Sequence, residues 1–238
     1  DEILDLPQQI ALERGKKFIV CIDEFQNVSN YEDALGFQRK LRAHWQRHNQ
    51  VGYCMFGSKR HMLLDIFSNY EMPFYKFGDI LFLDKIGEQE WISFITDRFS
   101  QTGKRISTTQ ASRIAQYVAC HPYYVQQLAQ LVWLRTETVC KDTLIDAAFE
   151  ALVGQLSLLF SNIIDTLTAK QISFLQAIAQ GERNFSSREV LSKYQLGTSA
   201  NIKNLRKAMQ DKDLIDVMPN SIQLQDPLFA YWLTHEYS

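Results

Sequence analysis

Five apolar residues in unbroken succession, Phe18-Ile19-Val20-Cys21-Ile22, run into two adjacent carboxylates, Asp23 and Glu24, and then into Phe25 and Gln26. The run is rich in β-branched and aromatic side chains and does not alternate with polar ones. It predicts a strand covered on both faces, as in a parallel sheet between helices. Residues 31–49 change period. Ala34, Phe37, Leu41 and Trp45 fall three to four apart, with Arg39, Lys40, Arg42 and Arg47 between them, the pattern of an amphipathic helix. A second apolar run, Val51-Gly52-Tyr53-Cys54-Met55-Phe56, ends on Gly57-Ser58. Strand, helix, strand predicts a right-handed βαβ unit with both strand ends on one sheet edge. That edge is where open α/β sheets bind ligands. Residues 1–14, with Ile3, Leu4, Leu6, Ile10 and Leu12, read as the end of a helix.

From Asp84 the pattern is helical throughout. Trp91, Ile92, Ile95 and Phe99 share a face behind Glu88-Gln89-Glu90, whose acids suit a helix N-terminus. Thr108 or Thr109 is expected to cap the next helix. Pro122 starts a third, a position where proline is tolerated, and Asp142 caps a fourth. After residue 166 come two capping boxes, Thr168–Gln171 and Ser186–Glu189 in their end residues. A helix capped by Thr198 follows, then a hairpin from Leu214 to Gln225 turning at Met218-Pro219-Asn220-Ser221, and a last helix after Asp226. Three helices and a hairpin predict a winged helix-turn-helix. The chain is therefore read as α/β over 1–83, all-α over 84–165 and winged helix over 166–238.

Composition narrows the partners. The net charge of −2 and pI near 6.2 give no global attraction to nucleic acid or membrane. Cys21, Cys54, Cys120 and Cys140 show no metal spacing and read as buried reduced thiols, two of them inside strands. No apolar run is read as a membrane span and no signal peptide opens the chain, so the expected compartment is the cytoplasm. The opening at Asp1 reads as a piece of something longer.

The chemistry centres on the acid pair. Adjacent carboxylates repel unless a cation sits with them. Magnesium held against nucleotide phosphates meets that condition, with the neighbouring acid orienting water. Taken alone, the pair equally suits a strand that ends because it has reached solvent. Phe-Ile-Val-Cys-Ile-Asp-Glu-Phe-Gln resembles the Walker B strand of prokaryotic and archaeal P-loop ATPases of the AAA+/STAND group, and Gly57-Ser58 followed by Met62-Leu63-Leu64 resembles their sensor 1 strand and the helix after it. The resemblance implies ATP and Mg2+ as cofactors. It implies that Asp23 orders the metal through water, that Glu24 polarises the attacking water and that Ser58 senses the γ-phosphate. It further implies a nucleotide-facing cation before the last core strand, where this chain has Lys76. A Gly-x-Pro that packs near the base is represented by Cys120-His121-Pro122, with His121 read as structural. Residues 84–165 would be the family's helical lid.

The phosphate-binding loop that this chemistry needs, Gly-x-x-x-x-Gly-Lys-Ser/Thr, does not occur. Gly15-Lys16-Lys17 and Gly103-Lys104-Arg105 both lack the first glycine and the hydroxyl residue. The chain alone is therefore expected to be inactive, as a fragment of an ATP-driven switch. The alternative is a DNA- or protein-binding winged-helix regulator with a degenerate ATPase core. On the expected recognition helix, Ser199, Lys203, Arg206 and Lys207 lie away from the Ile202–Leu205–Met209 face, and Arg188 and Lys193 could join them on phosphates. From Thr166 onward eight Lys/Arg face seven Asp/Glu, a thin balance for a DNA binder. A protein partner or intramolecular packing is the preferred use of this domain, and an oligomer of the parent is left open.

Overall fold

The computed structural model describes residues 2–83, 85–218 and 221–237. The chain divides into two compact units, Asp1–Leu83 and Asp84–Ser238.

In the first unit, β1 (Phe18–Ile22) and β2 (Val51–Met55) pair in parallel, Phe18 opposite Val51 and Ile22 opposite Met55. The helices α1 (Glu2–Arg14) and α2 (Ala34–Trp45) pack with this pair, and α3 (Arg60–Ser68) follows β2. A 3-10 helix, Phe25–Asn30, leaves the end of β1. The core is small and aromatic: Phe25, Trp45, Ile66 and Phe74 are buried, with Phe25 edge-on to Phe74 at 5.4 Å. Asp5 ties α1 down. It accepts from His44 at 2.8 Å and His48 at 3.1 Å, and His48 meets the Tyr53 hydroxyl at 2.6 Å. Those two hydrogen bonds hold the Asp5 carboxyl below the usual range. Burial, with Asp5 nearby, pushes Tyr53 up to about 12.

The expectation of a strand covered on both faces is corrected. Burial alternates along both strands, and Ile19 (75% exposed), Cys21, Gly52 and Cys54 face outward. Residues that are apolar on both faces are fit to be covered twice, but this unit packs its core on only one side. The reading of Cys21 and Cys54 as buried falls with it; both are exposed free thiols, whereas Cys140 is buried. The last core strand that the resemblance implies after Lys76 is not formed at 80–83, which is irregular, with Leu81 and Leu83 almost fully exposed. A strand needs a ladder partner, and none stands beside it among the described residues.

In the second unit four helices, α4 (Glu88–Gln101), α5 (Thr108–Tyr117), α6 (Pro122–Arg135) and α7 (Asp142–Asp165), lead into the winged part. That part is α8 (Ala169–Ala179), α9 (Arg188–Lys193), α10 (Ser199–Asp211), the antiparallel hairpin β3 (Ile215–Met218) and β4 (Ser221–Leu224), and α11 (Pro227–His235). One continuous core runs from Trp91 to Leu233. Helix α7 is its spine. It contributes Ile145, Leu152 and Phe160, and the Phe160 ring packs at a tilt against Phe229 and Trp232 of α11. Length and composition alone would let α7 cross a membrane, with a mean hydropathy of 1.5. Such a match from one helix is weak, and Ile145, Leu152 and Phe160 of α7 are buried in the core of this unit. The Tyr124 hydroxyl donates to Asp226, whose other oxygen caps α11 through the Leu228 and Phe229 amides. One side chain thus stitches α6 to the last helix.

Three caps shift by a residue. Ser107, not Thr108 or Thr109, closes a capping box with Gln110; Lys141 rather than Asp142 precedes α7; Ser187 rather than Ser186 caps α9. At α5 and α9 the turn geometry chose between adjacent hydroxyl residues of nearly equal capping strength; Lys141 makes no side-chain capping bond, and Asp142 falls in the first turn of α7 instead. Thr168 and Gln171 form the expected box. Thr198 precedes α10 without a side-chain capping bond. Pro219 and Asn220 of the expected wing turn lie outside the described residues.

Candidate functional site

The two strands end in register, and the chain uses that to converge. Phe56 N–H donates to Ile22 C=O at 3.1 Å, and Phe25 N–H donates back to Phe56 C=O at 3.0 Å. This extends the pairing past β1 and sets Gly57-Ser58 beside Asp23-Glu24. Glu24 takes left-handed backbone angles, φ 49° and ψ 43°, an uncommon choice for a non-glycine residue. Asp23 supports it by accepting the Glu24 amide at 2.8 Å. The turn swings Glu24 toward the neighbouring strand end, and the Ser58 hydroxyl donates to Glu24 Oε2 at 3.1 Å. Asp23 and Ser58 are exposed and Glu24 is half-buried.

Ser58 is not a helix cap. Lys59 occupies the position before α3 and makes no capping bond with its side chain. The hydroxyl goes to Glu24 instead, which overturns the simplest structural explanation of a serine there.

Sequence reasoning gave Gln26 no role, yet it is fully buried and its amide donates to the same Glu24 oxygen. Its own oxygen has no hydrogen-bond partner, at a cost of about 1–3 kcal/mol. Gln26 also explains Gly57. A Cβ on that glycine would stand 1.9 Å from Gln26 Oε1. The signal was the amide two residues beyond Glu24, which a left-handed Glu24 folds back beneath the carboxylate.

The donor set fits a hard cation in part. Asp23 Oδ1 is held by an amide, which leaves Oδ2 for a metal-bound water, the arrangement magnesium favours because it keeps much of its hydration. No group of three or more His, Cys, Asp or Glu able to hold a metal occurs among the described residues. The remaining ligands would have to come from water or from a bound molecule.

Lys76 lies in the loop after α3 with φ 53°, and its ammonium stands 5.3 Å from the Tyr75 ring centre. In the second unit, Ala119 and Cys120 both have left-handed backbones, φ 50° and 54°, just before Pro122 opens α6. Cys120 therefore occupies a conformation that glycine adopts at no steric cost. His121 is half-buried against Tyr124, with its shielded Nδ1 unpartnered. Burial holds its pKa below the ordinary value, with Asp226 opposing and Lys85 adding to the effect. On α10, Ser199, Lys203, Arg206 and Lys207 are exposed opposite the buried Ile202, Leu205 and Met209. Lys193 is not free for phosphate. It pairs with Glu182 at 2.9 Å and covers the Tyr194 ring.

Comparison with known proteins agrees with this architecture. Residues 158–235 match a family described as a probable winged helix domain. Among solved structures, the Walker-type ATPase PABY2304 of Pyrococcus abyssi superposes with a TM-score of 0.70 at 16% identity, over 95% of this chain and 65% of that one. Two substituted forms of Thermotoga maritima RuvB align more loosely. One has a TM-score of 0.47 at 15% identity over 98% of this chain and 76% of that one; the other has 0.40 at 12% over 99% and 95%. No curated protein sequence matches. The chain spans 65% of the length of the Pyrococcus protein. Over the aligned residues its fold is like that of the Walker-type ATPase from Pyrococcus abyssi, and it ends in a winged helix domain.

Proposed function

We propose that this chain is the hydrolytic-edge half of an ATP-driven switch, and that a segment carrying the phosphate loop completes its core. The observation that carries the reading is the convergence of Glu24 and Ser58 across parallel strand ends, with Gln26 clamped beneath. In this reading Asp23 holds magnesium through a water, Glu24 orients the attacking water and Ser58 reports the γ-phosphate. Bound magnesium would supply charge neutralisation at the β- and γ-phosphates. Pro122 would lie near the base and Lys76 near the phosphates. Residues 84–165 would act as the lid, and lid and winged helix would move together because they share one core.

The test uses a longer polypeptide in which a Gly-Lys-Ser/Thr loop precedes this chain. Glu24→Gln should leave ATP binding intact and reduce turnover by about 10²–10⁴-fold, the range for loss of a general base. Persisting turnover would remove Glu24 from the chemistry. This chain by itself should show no magnesium-dependent turnover.

The second reading, a winged-helix regulator with a relict ATPase core, rests on the exposed row Ser199, Lys203, Arg206 and Lys207. It predicts duplex DNA binding that weakens steeply with salt. A salt-insensitive or absent DNA shift would leave a protein partner as the use of this domain.

A further inference from the structure

The hairpin in the winged part has one side in use and one side open. Gln225 N–H donates to Leu214 C=O at 3.1 Å, and the register pairs Asp216 with Gln223 and Met218 with Ser221. Antiparallel ladders alternate, so the N–H and C=O groups of Ile222 and Leu224 point away from β3. Among the described residues no backbone hydrogen bond reaches them from segment 183–185 or elsewhere. A cavity of about 630 Å³ lies along this edge instead.

Its rim is cationic. Lys85, Arg183 and Arg206 line it, all exposed and none in an ion pair among the described residues. Among the described residues the one acid on the rim, Glu182, is already held by Lys193 at 2.9 Å and by the Tyr194 hydroxyl at 3.2 Å.

We propose that this slot takes an extended acidic peptide of a partner protein, which adds to β4 as a third strand. A strand edge offers alternating donors and acceptors at peptide spacing, so its occupant must supply both. A DNA backbone supplies only acceptors, which leaves the outward carbonyls of Ile222 and Leu224 unmet. The three cations select acidic side chains, and the apolar side chains of Ile222 and Leu224 accommodate alternate apolar ones. Four residues of β4 span about 13 Å, so a short segment suffices.

The test is fluorescence anisotropy of the whole chain with labelled Glu-Val-Glu-Val-Glu-Val-Glu-Val. Two control peptides accompany it, one with lysine in place of glutamate and one with proline at every other valine. The acidic peptide should bind, and raising the salt should weaken it. Arg183→Glu should weaken it about tenfold or more, a change of about 1.4 kcal/mol, and the lysine and proline peptides should fail. Ile222→Pro removes an outward donor while keeping the β3 ladder, a tolerated place for proline; it should abolish binding while Ile222→Ala, which loses the same core packing but keeps the donor, still binds. Equal binding of the lysine or proline peptide overturns the proposal. So does an unaffected Ile222→Pro chain, absence of binding by the acidic peptide, or displacement of that peptide by a stoichiometric DNA duplex. None of these outcomes depends on the nucleotide reading.

Discussion

The two units solve the burial problem differently. The second closes on itself. Its core runs unbroken from Trp91 through α7 to Leu233, and buried side chains such as Phe160, Leu152 and Phe229 are enclosed on all sides. The first is built around a two-stranded sheet whose one face, carrying Tyr53 and Met55, packs on Trp45 and Phe25 while the other face is bare. Its strands are as apolar as those of a sheet buried on both faces, and two strands alone make a marginal sheet. A residue such as Ile19, apolar and three-quarters exposed, marks a surface made for cover. The contrast teaches that apolarity in a strand reports how much it can bury, and neighbours decide how much it does bury.

The contrast can be broken by substitution. Phe160→Ala should cost the second unit about 3–5 kcal/mol, because Phe160 bridges α7 to both Phe229 and Trp232. Urea titration followed by circular dichroism would show it. Trp45, the one tryptophan of the first unit, should keep its own transition. Movement of both transitions together would mean that the units fold as one.

Gly57→Ala should cost the first unit less, about 1–3 kcal/mol, because the new methyl group displaces Gln26 from beneath Glu24. Trp45 fluorescence during unfolding reads that loss, and an unchanged midpoint would remove Gln26 from the account of the site. Smallest of the three, Ile19→Ser on the bare face should change stability by no more than about 0.5 kcal/mol. A loss of 2 kcal/mol or more by the same measurement would show that face to be covered.

The sequence showed the outline of the site but not its mechanism of assembly. The unbroken run Phe18-Ile19-Val20-Cys21-Ile22 and its ending on Asp23-Glu24 located a strand and its edge, and the helical spacing of Phe37, Leu41 and Trp45 supplied the crossover. Parallel connectivity then brought Ser58 beside Glu24. The left-handed turn at Glu24 could not be read, because nothing in a glutamate asks for it; the fit of Gln26 against Gly57 imposes it. The caps at Ser107 and Ser187 were missed by one position because hydroxyl residues stand side by side there. The bare sheet face was illegible for the reason already given: it depends on what else is present.

The central claim is that the first unit is half of a nucleotide-binding core. The most direct measurement is thiol labelling. In this chain, maleimide should modify the exposed Cys21 and Cys54 quickly and the buried Cys140 slowly. In a longer polypeptide that carries a phosphate loop ahead of residue 1, Cys21 and Cys54 should become as slow as Cys140. If both stay as fast as in this chain, that segment does not complete the sheet.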